Sequence, residues 1–209
     1  MKYTLNGENG KQKMSIANID HSLFYFINQN CANPVLDFLC PLARDKNTWL
    51  PFYIIGGLMV LYRYRWMGLC MVICAVLAIV LSDQSSGFVK HFIHRLRPCA
   101  TEHVRLLVEH CSDTFSFTSN HAANHFAIAV FLSLVFRRFK WLTYVLIIWA
   151  GFISLSQVYV GLHYPADIAG GAVIGVLSGL ALYSVYTLFL RDKVRNMFIS
   201  IAYIIFNAD

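Results

Sequence analysis

The sequence predicts an all-α membrane protein, a polytopic bundle of five to six transmembrane helices with an N-terminal interfacial helix. Of the 209 residues, 57% are hydrophobic and only 13% are charged, whereas a soluble domain carries about 25% charged residues. The mean hydropathy is +0.54. This composition disfavours a disordered chain and a cytosolic enzyme. The length predicts one domain over residues 1–209, with an N-terminal interfacial region at 1–47 and a helical core at 48–195.

Five mostly apolar segments approach the length of about 20 residues that a helix needs to cross the hydrocarbon core. They cover residues 49–62, 66–81, 121–136, 141–160 and 166–190. The helical pattern of the second segment continues into the polar residues 82–87. The fifth is rich in Gly and Ala, which permits close packing against a neighbouring helix. These segments predict five membrane spans.

Two further segments decide whether there is a sixth span. Residues 19–42 are amphipathic and carry several polar residues, so we predict an interfacial helix pair there. The polar residues are Asn28, Gln29, Asn30, Asn33 and Asp37. Residues 196–206 are apolar but too short to cross the bilayer fully. Either segment could be the sixth span.

Cationic residues form short groups between the apolar segments, not the continuous basic face of a nucleic-acid-binding protein. The groups are Arg63 and Arg65, then Arg137, Arg138 and Lys140, and finally Arg191, Lys193 and Arg195. With the five spans above, all three groups fall on one side, which the positive-inside rule makes cytoplasmic. Residues 90–118 and the turn around His163 then share the outer side. The sequence predicts a lipid bilayer as partner and no nucleic acid.

Two of the six cysteines, Cys99 and Cys111, flank the outer loop. If this loop faces an oxidising compartment, a disulfide between them would close it and restrict its motion. Cys70 and Cys74 lie inside a span and are predicted to be packing residues.

Seven of the eight histidines fall between His91 and His163, at the outer ends of the spans, and polar clusters collect there. The first cluster runs from Lys90 to Pro98. Lys90 and Arg97 are seven residues apart, so a continuing helix would place them on one face about two turns apart. Asp83 lies seven residues earlier and could pair with Lys90. Alone, this cluster fits a basic helix end at the interface as well as a phosphate site.

The second cluster, residues 117–125, lies where a span begins. Thr118 or Ser119 fits the helix N-cap, and the free N–H groups of that first turn favour a bound anion. His121 and His125 are four residues apart and could bind a metal ion. Alone, this cluster fits an ordinary cap with a packing histidine.

The third cluster, residues 156–167, ends in a histidine and a carboxylate. Pro165 suits the first turn of the last span. Asp167, four residues after His163, can accept a ring N–H and hold the tautomer, which leaves the other nitrogen as nucleophile or base.

Together, the three clusters bring cations, two helix N-termini and a histidine paired with a carboxylate to one membrane face. Phosphoryl transfer uses these groups: cations and N–H donors for the phosphate oxygens, a nucleophile, and an acid for the leaving group. Few carboxylates lie near the clusters, and a metal site would need some, so the sequence favours chemistry without a metal or other cofactor.

The order and spacing of the clusters resemble the type 2 phosphatidic acid phosphatase superfamily, which also includes the vanadium haloperoxidases. Its signatures are K-x6-R-P, P-S-G-H and S-R-x5-H-x3-D. Residues 90–98 match the first in full, residues 118–121 match the second at Ser119 and His121, and residues 156–167 match the third with Gln157 in place of Arg. The resemblance covers residues 83–175, near half the chain. Five membrane-length apolar segments exclude a soluble haloperoxidase.

The resemblance implies a role for each matching residue. His163 is the nucleophile that forms a phosphohistidine, Asp167 orients it, and His121 protonates the leaving lipid alkoxide and then activates water. The residues expected to bind the phosphate are Lys90, Arg97, Ser119, Asn120 and Gln157.

Gln157 is a departure from the family pattern because a neutral amide replaces a guanidinium fork. By analogy with single oxyanion-hole deletions, this loss weakens transition-state stabilisation by about 2–4 kcal/mol. Arg95 and Arg105 are candidate replacements.

We therefore expect an integral membrane lipid phosphatase that works through a phosphohistidine without a metal. Candidate substrates are undecaprenyl diphosphate, phosphatidic acid, phosphatidylglycerol phosphate and lipid A phosphates, with a polyprenyl diphosphate first. The expected location is the bacterial inner membrane, with the active site facing the periplasm. The alternatives are a catalytically impaired protein that binds lipid phosphates, and a metal-dependent membrane hydrolase that uses His121 and His125.

Overall fold

The computed structural model describes residues 16–191, which form an all-α bundle with no strand in that range. The helices are α1 (Ile16–Tyr25), a π-helical turn (Phe26–Asn30), α2 (Pro34–Arg44), α3 (Lys46–Ile93), α4 (Pro98–Thr101), α5 (Asn120–Val135), α6 (Lys140–Tyr159), α7 (Pro165–Val185) and a second π-helical turn (Tyr186–Arg191). The predicted all-α membrane fold is confirmed. Residues 196–206, Lys193 and Arg195 lie outside the described residues.

Helix α3 consists of two halves that fold back on each other at Arg65. The backbone of Arg65 has φ 53° and ψ −126°, far from helical values. A Cβ on Gly68 would lie 2.4 Å from the main-chain oxygen of Val60, although residues eight apart in a straight helix are separated by about 12 Å. Residues 46–64 and 66–93 are therefore antiparallel neighbours, with Arg63 and Arg65 at the turn. The second half continues through 82–87, as the sequence pattern indicates.

Three helical stretches are long and apolar enough to cross a membrane by length and composition: Lys46–Thr101, which holds both halves of α3, Lys140–Tyr159 and Pro165–Leu188. Helix α5 has 16 residues. The Tyr64 and Phe136 rings lie 5.9 Å apart, so the first two cationic groups share one end of the bundle. The number of spans, five or six, stays a prediction.

Helices α5 and α7 pack at backbone contact, and this contact positions the candidate site. A Cβ on Gly171, Gly175 or Gly179 would approach a main-chain oxygen of α5 to 2.4, 2.3 and 2.7 Å, respectively. Glycines at this spacing form a groove that admits the neighbouring backbone. At the outer end of the contact, the N–H of Ser119 donates to the main-chain oxygen of Asp167 at 3.0 Å. The two helix N-termini are therefore held side by side.

The polar residues of the N-terminal region have structural partners. Asn28 is fully buried, and its amide donates to the main-chain oxygens of Arg105 and Tyr159 at 2.9 and 2.8 Å. Its Oδ1 accepts from the Arg105 N–H at 3.0 Å. Helices α1 and α2 have 10 and 11 residues, too few to span a bilayer. This region is therefore fastened to the outer loop and to α6.

Candidate active site

A cavity of about 580 Å³ opens where α3, α5, α6 and the outer loop meet. Six of the residues singled out from the sequence line it: Lys90, Arg97, Asn120, His121, Gln157 and His163. Ser119 and Asp167 are fully buried and lie behind this lining. The remaining lining residues are Arg44, Gly87, His91, Ser112, Asp113, Thr114, Phe115 and Leu162. The three sequence clusters thus meet at one cavity.

His163 lies in the turn between α6 and α7 and is 2% exposed. Its Nε2 is 2.9 Å from Arg97 Nη1. Its Nδ1 lies 3.5 Å from Asp167 Oδ2 and 3.3 Å from Ser116 Oγ. A proton on Nδ1, facing the carboxylate, leaves the lone pair of Nε2 directed towards the cavity. This is the tautomer that a nucleophilic histidine needs.

Asp167 is held on all sides by donors. Its Oδ2 accepts from the Tyr164 N–H at 2.8 Å and from the Ser116 hydroxyl. Its Oδ1 accepts from Arg95 Nη1 at 2.9 Å. Pro165 begins α7 and places Asp167 in its first turn, where a carboxylate is favoured by the helix dipole. The carboxylate can therefore orient the imidazole without moving.

The protonation state of His163 follows from its surroundings. Burial lowers the pKa of His163 to about 4, opposed by the interaction with the Asp167 carboxylate and reinforced by the charge of Arg97. The imidazole is therefore neutral near pH 7, and its Nε2 lone pair accepts from Arg97 Nη1.

Arg97 is fixed in place by the outer loop. Its Nε donates to the main-chain oxygen of Thr114 at 2.9 Å, and its Nη2 donates to the Thr114 hydroxyl at 2.8 Å. Its Nη1 donates to the main-chain oxygen of Leu162 at 3.2 Å. This geometry leaves one guanidinium edge beside His163 and the cavity.

Lys90 also lines the cavity, from the second half of α3. Within residues 16–191, no carboxylate forms an ion pair with Lys90. Asp83, the suggested partner, instead accepts from the side-chain amides of Asn120 and Asn124 at 2.7 and 3.2 Å.

The N-terminus of α5 is capped by Ser119, whose hydroxyl accepts from the Ala122 N–H at 3.5 Å. The Asn120 side chain, with its Nδ2 on Asp83, also accepts at Oδ1 from the Ser86 hydroxyl at 2.9 Å. Both side chains are thus engaged within the protein. Their roles in binding phosphate stay predictions, and the structure directs them first to holding α5 in position.

His121 faces the cavity, and His125 lies behind it. His121 Nε2 is 3.2 Å from the main-chain oxygen of Arg44, and His125 Nδ1 is 2.7 Å from the main-chain oxygen of His121. The two rings are parallel, with centroids 6.3 Å apart. Among residues 16–191, no three side chains of His, Cys, Asp or Glu gather as metal ligands. A metal site on this histidine pair would therefore need ligands from outside that range, from solvent or from the substrate.

Gln157 differs from its neighbours in having no partner. The side chain is fully buried, yet neither Nε2 nor Oε1 forms a hydrogen bond with the described residues. The two arginines suggested as replacements for the family arginine are engaged elsewhere. Arg95 bridges Asp20 and Asp167, and Arg105 pairs with Asp37. Neither lines the cavity.

Sequence reasoning missed several residues of the site. Arg44, the last residue of α2, lines the cavity, although the sequence places it in the N-terminal region. Thr114 and Ser116 lie in the loop and hold Arg97 and Asp167. Cys99 and Cys111 form a disulfide with their Cα atoms 5.8 Å apart. This disulfide shortens the connection between Arg97 and the loop residues Thr114 and Ser116. The predicted cysteine pair was the only signal in the sequence that these two loop residues matter.

The fold and the site define a helical membrane protein with a buried histidine, its carboxylate and several cations around one cavity. The family model described as the PAP2 superfamily matches residues 63–191, more than half of the chain. The chain belongs to the PAP2 superfamily.

Individual relatives agree with this membership. A lipid A 4'-phosphatase of Bacteroides thetaiotaomicron is 33% identical over 175 residues, which cover 80% of this chain and 77% of the relative. An undecaprenyl-diphosphatase of Sulfolobus acidocaldarius is 33% identical over 156 residues, covering 73% and 71%. The crystal structure of Aquifex aeolicus LpxE is 28% identical with a TM-score of 0.65, covering 78% of this chain and 94% of that one. The predicted family and enzyme class, a membrane lipid phosphatase, are confirmed.

Proposed function

We propose that this protein hydrolyses a phosphate monoester of a lipid of the lipid A type through a covalent phosphohistidine at His163. The observation that carries the proposal is the geometry of His163: Nδ1 faces Asp167 and Ser116, and Nε2 faces Arg97 at the cavity. An imidazole with this orientation and a low pKa is a nucleophile.

The first step forms a bond between His163 Nε2 and phosphorus while the bond from phosphorus to the lipid oxygen breaks. His121 enters this step as an imidazolium, gives its proton to the leaving alkoxide and becomes neutral, while Asp167 stabilises the positive charge that develops on the imidazole of His163. Lys90 and Arg97 neutralise the phosphate oxygens in the transition state. The lipid leaves as an alcohol.

In the second step, the neutral His121 takes a proton from a water molecule that attacks phosphorus. The bond from phosphorus to Nε2 breaks, inorganic phosphate leaves, and His163 returns to its neutral form. The cycle uses only side chains that line the cavity or lie directly behind it, and no cofactor.

The choice of a lipid A type substrate is supported by two relatives named lipid A 4'-phosphatase, from Bacteroides thetaiotaomicron and Porphyromonas gingivalis, which cover 80% and 85% of this chain. Undecaprenyl diphosphate is the second candidate. It is favoured by the 33% identity to the Sulfolobus undecaprenyl-diphosphatase and was the first expectation from the sequence.

The proposed location is the bacterial inner membrane, with the cavity facing the periplasm. The cationic groups at the opposite end of the bundle support this orientation by the positive-inside rule. The Cys99–Cys111 disulfide also supports it, because disulfides persist in the periplasm and not in the cytosol.

The test is phosphate release by detergent-purified protein from lipid A, undecaprenyl diphosphate, phosphatidic acid and phosphatidylglycerol phosphate, with and without EDTA. We expect EDTA-resistant release, fastest from lipid A and absent in His163→Ala. Sensitivity to EDTA that added metal reverses would favour the metal-dependent hydrolase. No release from any lipid, with vanadate binding retained, would favour the impaired lipid-phosphate-binding protein.

A further inference from the structure

We infer that Arg44 binds the substrate phosphate and takes the place of the arginine that Gln157 replaces in the third signature. This inference rests on the proposed phosphatase function. It assigns a binding role to a residue of the N-terminal region, some 20 residues before the matched family segment begins at residue 63.

Arg44 enters the same cavity as the two cations already described. It lines the cavity together with Lys90, Arg97, Gln157 and His163. The main-chain oxygen of Arg44 lies 3.2 Å from His121 Nε2, and Arg97 lines the same cavity. A phosphate beside His163 Nε2 therefore lies within the reach of cations from α2, α3 and the segment after α3.

The main chain at Arg44 is held in position by three contacts at the end of α2. The Thr48 hydroxyl donates to the oxygen of Leu42 at 2.8 Å. The Trp49 indole N–H donates to the oxygen of Ala43 at 2.7 Å. His121 Nε2 lies 3.2 Å from the oxygen of Arg44 itself. These contacts fix where the arginine side chain begins, and they depend on its backbone and not on its guanidinium.

Within the described part of the chain, the Arg44 guanidinium has none of the carboxylate or main-chain partners that the other arginines nearby have. Its Nε is buried without a hydrogen-bond partner among the described residues. Asp45 is its sequence neighbour, but the Asp45 carboxylate accepts from the Asn47 N–H as the cap of α3. Asp113 is the only acidic side chain among the described residues that line the cavity. A buried cationic donor without an acceptor is costly, and a bound phosphate dianion satisfies it.

Gln157 also lacks a hydrogen-bond partner among residues 16–191. Its amide is fully buried and lines the cavity, and neither polar atom is paired within that range. The family signatures contain three cationic residues, and the neutral Gln157 replaces one of them. Lys90, Arg97 and Arg44 together restore three cationic side chains at the cavity. Since Arg95 and Arg105 are committed to carboxylates, Arg44 is the arginine available to restore the charge.

The experiment compares Arg44→Gln with Lys46→Gln, which removes an exposed cation two residues away that is outside the cavity lining. Further variants are Arg44→Lys and the exchange Arg44→Gln/Gln157→Arg. Each is measured for kcat/KM on the best lipid, for vanadate affinity by calorimetry, and for melting temperature. We expect Arg44→Gln to lose about 100-fold in kcat/KM, as for a lost oxyanion donor, and to bind vanadate more weakly. Lys46→Gln should match the wild type, and the exchange should recover about tenfold or more of the loss.

The outcomes separate this inference from the proposed function. Active wild-type protein with equal kcat/KM and vanadate affinity in Arg44→Gln and Lys46→Gln would overturn the inference alone. A loss that comes with a lower melting temperature, and that neither Arg44→Lys nor the exchange relieves, would assign Arg44 a structural role and also overturn it. If the wild type hydrolyses no lipid, the proposed function fails, and vanadate binding by the same variants still decides whether Arg44 binds the anion.

Discussion

The residues at the cavity form two sets that differ in how completely their polar atoms are satisfied. In the histidine–carboxylate set, Asp167 has donors at both oxygens and both nitrogens of His163 have neighbours at 2.9–3.5 Å. In the binding set, Arg44 Nε and both amide atoms of Gln157 have no partner among the described residues.

This difference separates the chemical step from the binding of the substrate. A nucleophile gains rate from being preorganised, since any reorientation during the reaction raises the barrier. A binding residue gains affinity from donors that only the ligand satisfies. We therefore expect substitutions in the histidine–carboxylate set to lower kcat, and substitutions in the binding set to act more on affinity.

The largest effect is expected for His163→Ala, which removes the proposed nucleophile. We expect kcat to fall by at least about 10⁴-fold, because the remaining groups can bind phosphate but cannot form the covalent intermediate. Phosphate release at saturating lipid measures the loss. The intermediate is checked by trapping ³²P-labelled protein and testing whether the label survives acid and base. Base-stable, acid-labile label in the wild type and none in His163→Ala is the expected pattern. Equal labelling of both proteins would show that a residue other than His163 is the nucleophile.

Asp167→Asn is expected to have the next largest effect, about 10²–10⁴-fold in kcat, as when a histidine loses the carboxylate that holds its tautomer. The Asn amide also faces the donors of Tyr164 and Arg95, so the melting temperature should fall. Vanadate affinity should change little, since Asp167 lies behind the lining of the cavity. An Asp167→Asn protein that keeps kcat but loses vanadate binding would contradict the division between the histidine–carboxylate set and the binding set.

Opening the disulfide with Cys99→Ser/Cys111→Ser should have an intermediate effect. The disulfide closes residues 99–111, just before Thr114 and Ser116, which contact Arg97 and Asp167. A closed loop of this size stabilises a fold by about 3 kcal/mol. We expect a lower melting temperature and a several-fold lower kcat/KM. Cys70→Ser/Cys74→Ser removes two thiols that form no disulfide and controls for the loss of cysteine. Identical melting curves for the loop variant and the wild type would show that the loop does not depend on the link.

The smallest effect is expected for Gln157→Ala. The amide has no hydrogen-bond partner among the described residues, so its removal costs only its contact with the substrate, about tenfold or less in kcat/KM. Vanadate calorimetry should show a matching loss of affinity with little change in kcat. A fall in kcat as large as that of Asp167→Asn would mean that Gln157 belongs functionally to the histidine–carboxylate set.

Much of the fold and site could be predicted from the sequence because the signals are local. Apolar segments of membrane length predict the long helices, and the cations Arg63 and Arg65 mark the turn within α3. The spacing of His163 and Asp167 places the histidine in the turn before α7 and the carboxylate in the first turn of that helix. The continuous helix expected from Lys90 to Arg97 is wrong, because α3 ends at Ile93 and residues 94–97 are not helical; Arg97 reaches the cavity from the segment after α3. The other patterns are local. Such patterns depend on helix geometry over one or two turns, which the chain carries wherever it packs.

Contacts between distant segments could not be predicted in this way. The sequence alone predicted a helical membrane phosphatase of this superfamily and a histidine with a nearby carboxylate, since each signal lies within a few helical turns. Only the tertiary structure decided that Arg95 and Ser116 support Asp167, that Asp83 holds Asn120 instead of Lys90, and that Arg44 shares the cavity with Gln157. Arg44 and Gln157 are more than a hundred residues apart. They meet because α2 is fastened to α3 and α5 by hydrogen bonds, and no periodicity along the chain encodes that arrangement.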